Sequence, residues 1–358
     1  VTAGTPGPGR AATDGGPPEG SAAPVEGPAE VDPALVEAYL GCLERADQHG
    51  ATALALGLVD AGRSVADVLV DLVAAAQREV GRRWLTGRWS VAQEHAATHV
   101  SELVVTAVAA RTRTPGHRGH VVVACVEGEW HALAARIVAE VVRAAGWRVS
   151  FLGASVPARH LVSYLHQTGP DAVLMSCVQP NRLVRAARMV QACRSAGVPV
   201  IAGGPGFGPD GRWAPAVGAA AWGGSARDAA HLLERHRHPD GGSHPPAPAD
   251  GDEYVAVLRR RREVVELTLR ALNPPEDRVD DVATGVAHLL DALAAAIRVG
   301  DPQLLVDFAT WQVTALTARS GQPAVLDTVL ERCAALLAEH PRAGHYLRLA
   351  RTAVAEGR

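Results

Sequence analysis

In the stretch Val126-Glu127-Gly128-Glu129-Trp130-His131-Ala132 a carboxylate stands two residues before a histidine, directly after the apolar run at 121–125. Neutral imidazole is a good donor to a transition metal, and a carboxylate on its other ring nitrogen fixes the tautomer and raises the ligand's basicity. The run is of strand type, Gly128 opens a loop, and Leu133, Ile137 and Val141 then recur at helical spacing. Glu129, Trp130 and His131 are therefore expected at the carboxyl end of a parallel strand, where open α/β sheets bind ligands. Two further pieces close later strands: Ser176-Cys177-Val178 and Gly203-Gly204. An earlier constellation sets Trp84 at the end of one helical stretch and, after nine intervening residues, Glu94-His95 one turn into the next, with Val91 beside them. By itself it reads as helix surface plus one buried indole. His95 and His99 also stand i, i+4, with Glu94 and Glu102 nearby, a spacing open to zinc.

The elements that must position these residues follow from periodicity and breaks. Residues 1–30 are Gly, Pro, Ala and Thr with few large apolar groups, and are expected as a disordered tail. From 31 to 114 four helical patterns read as an up-and-down bundle: one through Leu35, Tyr39 and Leu43, a short one over 53–59, a third capped by Ser64 and running to Trp84, and a fourth opened by a Ser90/Gln93 capping box. From 118 to 236 strands expected at 120–126, 148–152, 171–176, 198–202 and 219–222 alternate with helices, which predicts a flavodoxin-like parallel sheet. Prolines and glycines make 237–252 a linker, and 253–358 reads as an all-α domain broken at Asn273-Pro274-Pro275, Gly300-Asp301-Pro302, Gly321-Gln322-Pro323 and Pro341. The fold class is thus multidomain, α and α/β.

Composition narrows the chemistry. The 358 residues carry 35 basic and 38 acidic side chains, a net charge of −3 that gives no basic field for nucleic acid or an acidic membrane. Every basic residue is arginine, which excludes Schiff-base catalysis and a P-loop lysine. The five cysteines are scattered without paired metal spacing, no secretory leader is visible, and no uncharged apolar run is long enough to span a bilayer. A reduced, cytoplasmic protein is expected.

Glu129-x-His131-x-x-Ala134, then Ser176-x-Val178, then Gly203-Gly204 resembles the cobalamin-binding Rossmann-like domain that holds vitamin B12 base-off. That family's pattern has Asp, Gly and Leu where this chain has Glu129, Ala134 and Val178. The resemblance implies that His131 is the lower axial ligand of cobalt and that Glu129 accepts from its second nitrogen. It further implies that Ser176 hydrogen-bonds the displaced dimethylbenzimidazole tail and that Gly203 and Gly204 let the tail pass. Trp84-x9-Glu94-His95 resembles the CarH-type cobalamin photoreceptors. Carried across, Trp84 shields an adenosyl group whose pocket is lined by Val91, Glu94 and His95. Leu85 stands where those receptors carry a second cobalt-ligating histidine and cannot coordinate, which leaves His95 or a water to take that position.

With its helical C-terminal domain the chain is most similar to the photocobilins, in which a globin-like domain binds biliverdin. A linear tetrapyrrole needs an apolar slot and cations for two propionates. Trp311, Phe308, Tyr346, His288 and His345 are the candidates to line one and the arginines at 259–262 to supply the cations, although each reads first as core or solvated surface. Cys333, the one thiol there, reads first as a buried helical cysteine and only second as a thioether attachment. The function implied is an adenosylcobalamin light sensor, a homo-oligomer whose assembly changes with light, acting on a downstream effector and not on DNA directly. The alternatives are a corrinoid methyl carrier of a methyltransferase system and an adaptor whose helical tail docks a partner.

Overall fold

The computed structural model describes residues 31–111, 116–235, 253–319 and 321–356. The tail expected at 1–30 and the linker at 237–252 lie outside the described residues.

Asp32 caps α1 (Pro33–Glu44) and Asp47 caps α2 (Gln48–Asp60), each by accepting a first-turn N–H. The Asp47 cap lengthens α2 well beyond the 53–59 expected from apolar spacing. Ser64 and Asp67 form a reciprocal capping box. From it α3 (Val65–Asp67) runs without a break through a π-helical segment (Val68–Ala74) into α4 (Ala75–Leu85). Gly87, at φ +71, turns the chain, and the Ser90–Gln93 box starts α5 (Val91–Arg111). Tyr39, Leu40, Leu69, Leu72, Val73 and Val104 fill the bundle core. There the Tyr39 hydroxyl donates to Ser101 Oγ at 3.2 Å.

The second domain is a five-stranded, all-parallel sheet in the order β2-β1-β3-β4-β5. Its strands are β1 (His120–Cys125), β2 (Arg148–Gly153), β3 (Ala172–Ser176), β4 (Val200–Gly203) and β5 (Ala221–Gly223). Alternate β1 residues face opposite ways. Val121, Val123 and Cys125 pack with α6 (Ala132–Ala144) and α9 (Ala226–Arg235), while Val122 and Ala124 pack with α7 (Ala158–Thr168) and α8 (Leu183–Ser195). The order reverses between β1 and β3, and the loop after β1 carries His131.

The sheet domain lies between two helical layers. On one side α6 serves two cores at once: Ala135, Ala139 and Val142 face the sheet, whereas Leu133, Ile137 and Val141 enter the bundle core. On the other side lie α10 (Glu253–Leu272), α11 (Val279–Val299), α12 (Gln303–Thr317), α13 (Pro323–Leu336) and α14 (Pro341–Glu356). Their core is continuous with that of α7 and α8. At the centre is α11, which packs on α10, α12, α8 and the turn Pro180–Arg182. The stretch Glu276–Val299 is long and apolar enough to cross a membrane by length and composition alone, but it is mostly buried between these neighbours.

Candidate functional site

The loop after β1 is held by one carboxylate. Glu129 is 1% exposed, yet all its hydrogen bonds are made. Oε1 accepts from the His131 backbone N–H at 3.0 Å and lies 2.6 Å from His131 Nδ1. Oε2 accepts from the backbone N–H groups of Val178 at 2.9 Å and Gln179 at 3.0 Å, in the loop after β3. Burial alone would raise this carboxyl's pKa. The donors from the side chain and backbone of His131, its charge and the Val178 N–H prevail and hold it at about 2. The Glu129 bond in turn raises the His131 pKa against desolvation, and Glu94 of the bundle adds to the rise while Arg182 opposes it. Nδ1 is thus committed to Glu129, and the imidazole, 55% exposed, keeps Nε2 free to act as a donor to a metal.

The remaining sheet-domain candidates share the same edge. Cys125, Ser176, Gly203 and Gly223 stand in one register row across β1, β3, β4 and β5. Gly204, at φ +98, lies so close to the Cys177 carbonyl that a Cβ would collide with it, so the fold itself requires glycine there. At Gly203 a Cβ would meet only Gly223 O at 3.4 Å, an ordinary contact. The fold therefore leaves room at Gly203 that it does not fill. Val178 is half-buried, and Trp130, beside His131, is 74% exposed.

The bundle candidates divide. Glu94 joins the sheet-domain site through its charge on His131, and it is itself held by Thr98 Oγ1, which donates at 2.9 Å, and by His95 Nδ1 at 2.7 Å. Val91 and His95 are exposed on the first turns of α5. Trp84 faces elsewhere. Its indole stacks on Trp311 of α12 with centroids 6.0 Å apart, and the Arg319 guanidinium lies 4.3 Å from its ring. Arg319 Nη2 also donates to the Trp84 carbonyl at 2.7 Å, and a Cβ on Gly87 would strike Ala318 O. The expected shield over an upper ligand is thus a bridge between the bundle and the C-terminal domain.

The expected bilin-slot residues fall into separate groups. Phe308 and Trp311 pack together beneath Trp84, whereas Tyr346 packs against His345. His288 lies among Arg182, Arg261, Arg185 and Asp291. Of the arginines at 259–262, Arg260 binds Glu263 and Glu339, Arg261 binds Asp291, and Arg262 binds Glu266. Cys333 is fully buried, and burial pushes its thiol up to about 12, which makes it a core residue and not an attachment point. Among the described residues no group of three or more His, Cys, Asp or Glu could hold a metal ion, so His95 and His99 form no zinc site.

Sequence reading missed three groups. The Val178 and Gln179 N–H groups are backbone and carry no side-chain signal. Arg182 sits between the His131 loop and Asp291 of α11. Arg227 of α9 reaches the bundle, with Nη1 2.8 Å from Asp71 and Nη2 2.8 Å from Asp67. Only the fold brings its carboxylate partners, some 156 residues away, within reach.

Residues 119–233 match a B12 binding domain, and residues 35–108 match a second B12 binding domain model. Together the two matches span the bundle and the sheet domain and support cobalamin binding by this pair. It is 25% identical over 190 residues to trimethylamine corrinoid protein 1 of Methanosarcina acetivorans, spanning 51% of this chain and 87% of the relative. It is 30% identical over 115 residues to a trimethylamine corrinoid protein of Methanosarcina barkeri, spanning 31% of this chain and 52% of that one. The monomethylamine corrinoid protein of Methanosarcina barkeri shares the fold, with a TM-score of 0.50 at 16% identity over 56% of this chain and 98% of that chain. Relatives of this kind favour the methyl-carrier alternative over the light sensor that the CarH resemblance implies. Neither family match reaches α10–α14.

Proposed function

We propose that the chain binds a corrinoid base-off, with His131 Nε2 as the lower ligand of cobalt, and serves as the corrinoid methyl carrier of a methyltransferase system. The observation that carries this is the Glu129–His131 pair on the β1 loop, inside a cap-and-sheet pair matched over most of the length of a trimethylamine corrinoid protein. The donor set suits cobalt: one neutral imidazole whose second nitrogen is held by a buried, fully hydrogen-bonded carboxylate. The spare room at Gly203 suits a ligand tail along β4, with Ser176 beside it in register. When bound, the corrinoid supplies a cobalt–carbon bond that breaks by transfer to an acceptor or by light. This chain's residues do the rest. Glu129 orients the imidazole, while Val91, Glu94 and His95 line the cap side and limit water there.

A second reading, an adenosylcobalamin light sensor, is favoured by one observation. A methyl carrier must expose cobalt to two active sites in turn, but this cap is tied to the C-terminal domain at Trp84 and to α9 through Arg227. Such ties suit a cap whose displacement is a signal. Reconstitution with methyl- and adenosylcobalamin separates the readings. A carrier binds methylcobalamin, passes its methyl group to a thiol acceptor with a partner methyltransferase, and elutes identically in dark and light. A sensor prefers the adenosyl form and changes elution volume on illumination. Failure to retain any corrinoid would remove both.

A further inference from the structure

Where the C-terminal helices meet the sheet domain, Asn181, Val184, Arg185 and Arg188 face Leu258, Arg261 and Asp291 around a cavity of about 220 Å³. Its charge is unbalanced. Asp291 is already taken, by Arg261 at 2.8 Å and Arg182 at 3.9 Å. Among the described residues neither Arg185 nor Arg188 pairs with a carboxylate. These two guanidiniums lie three residues apart in the first turns of α8, so they share one helix face and the positive end of its dipole.

A second, independent feature lies in the same wall. Asn181 is 4% exposed, and neither its amide nitrogen nor its amide oxygen has a hydrogen-bond partner. A buried amide left unsatisfied costs on the order of 1–3 kcal/mol, and native folds rarely carry one without a ligand or water to meet it. The field agrees: burial and the charges of Arg182, Arg261 and Arg185 lower the pKa of neighbouring His288, although Asp291 acts the other way.

We propose that this cavity binds a small oxyanion, a phosphate or a carboxylate, held by Arg185 and Arg188 with the Asn181 amide as a further donor. Its size argues against a whole tetrapyrrole, since drug-sized ligands occupy roughly 300–1,000 Å³. Arg185 and Arg188 come from one domain and Arg261 from the other, so the anion would also tie the C-terminal helices to the sheet domain. The site borders the β1 loop, since Arg185 Nη1 lies against Gly128, but its anion is a ligand separate from the corrinoid.

Isothermal titration of the full chain with inorganic phosphate and, separately, with succinate at constant ionic strength tests it. Saturable binding at one site is expected for at least one of the two, and the one that binds gives the ligand class. Arg188→Ala, at an exposed position that folding tolerates, should weaken that binding about tenfold or more. Asn181→Asp should abolish it by putting a negative charge in the wall. No saturable heat from either anion, or unchanged affinity in Arg188→Ala and in the Arg185→Ala/Arg188→Ala double variant, would overturn the proposal.

Discussion

The Glu129 carboxylate, buried and accepting from two separate loops, fixes both the imidazole and the distance between the ends of β1 and β3. Glu129→Ala leaves Nδ1 of His131 and the N–H groups of Val178 and Gln179 unmet, and should weaken corrinoid binding about 10–100-fold, measured by titrating cobalamin into the apoprotein. Glutamate reaches both loops at once, which is how it serves where the family pattern has the shorter aspartate. The Glu129–His131 pair was legible because two chemically meaningful residue types stood at fixed spacing behind a strand. The backbone donors after β3 were not, because any sequence supplies N–H groups. On the bundle surface Glu79 accepts from Arg82 and Arg83, and the Arg82 bond, then the Arg83 bond, lower its pKa from 4.5 to about 2. A carboxyl lowered on folding stabilises the protein above pH 4.5 and loses that contribution as pH falls toward 2. Glu79→Gln should therefore show a shallower loss of stability over that window in urea melts.

At the scale of elements, α6 is the axle of the cap-and-sheet pair, since its two faces belong to two cores and its first turn follows His131. Its helical period predicted the element, but only the fold shows that Leu133, Ile137 and Val141 leave the sheet for the bundle. The same limit applies to Trp84. An indole at a helix end signals burial and does not name its partner, which proved to be Trp311 and Arg319, more than two hundred positions along the chain. A double-mutant cycle on Trp84→Ala and Trp311→Ala should return a coupling of about 0.5–1.5 kcal/mol. Additive effects would mean that the stack carries no energy. The π-helical segment left no trace in apolar spacing, because its residues bury one face as an α-helix would.

For the whole molecule, strands and breaks were legible because turn residues punctuate a parallel sheet, and each strand fell within about two residues of expectation. Domain placement was not. The apolar face of α8 looks alike whether solvent or another domain covers it, and here α11 does. Truncation before Glu253 would bare that shared core. The shortened chain should melt at lower temperature and bind a hydrophobic dye, yet keep its corrinoid if the site is complete in the first two domains. Loss of the corrinoid would place part of the site in α10–α14.

The central claim is that the nitrogen beneath cobalt belongs to His131. Electron paramagnetic resonance of the protein loaded with cob(II)alamin reads that nitrogen directly, through the splitting of the cobalt lines. Protein grown on nitrogen-15 histidine should turn each triplet into a doublet, and His131→Ala should remove the effect of the label. A triplet that persists in the labelled protein would mean that the ligand is the cofactor's own base, and the account would be wrong.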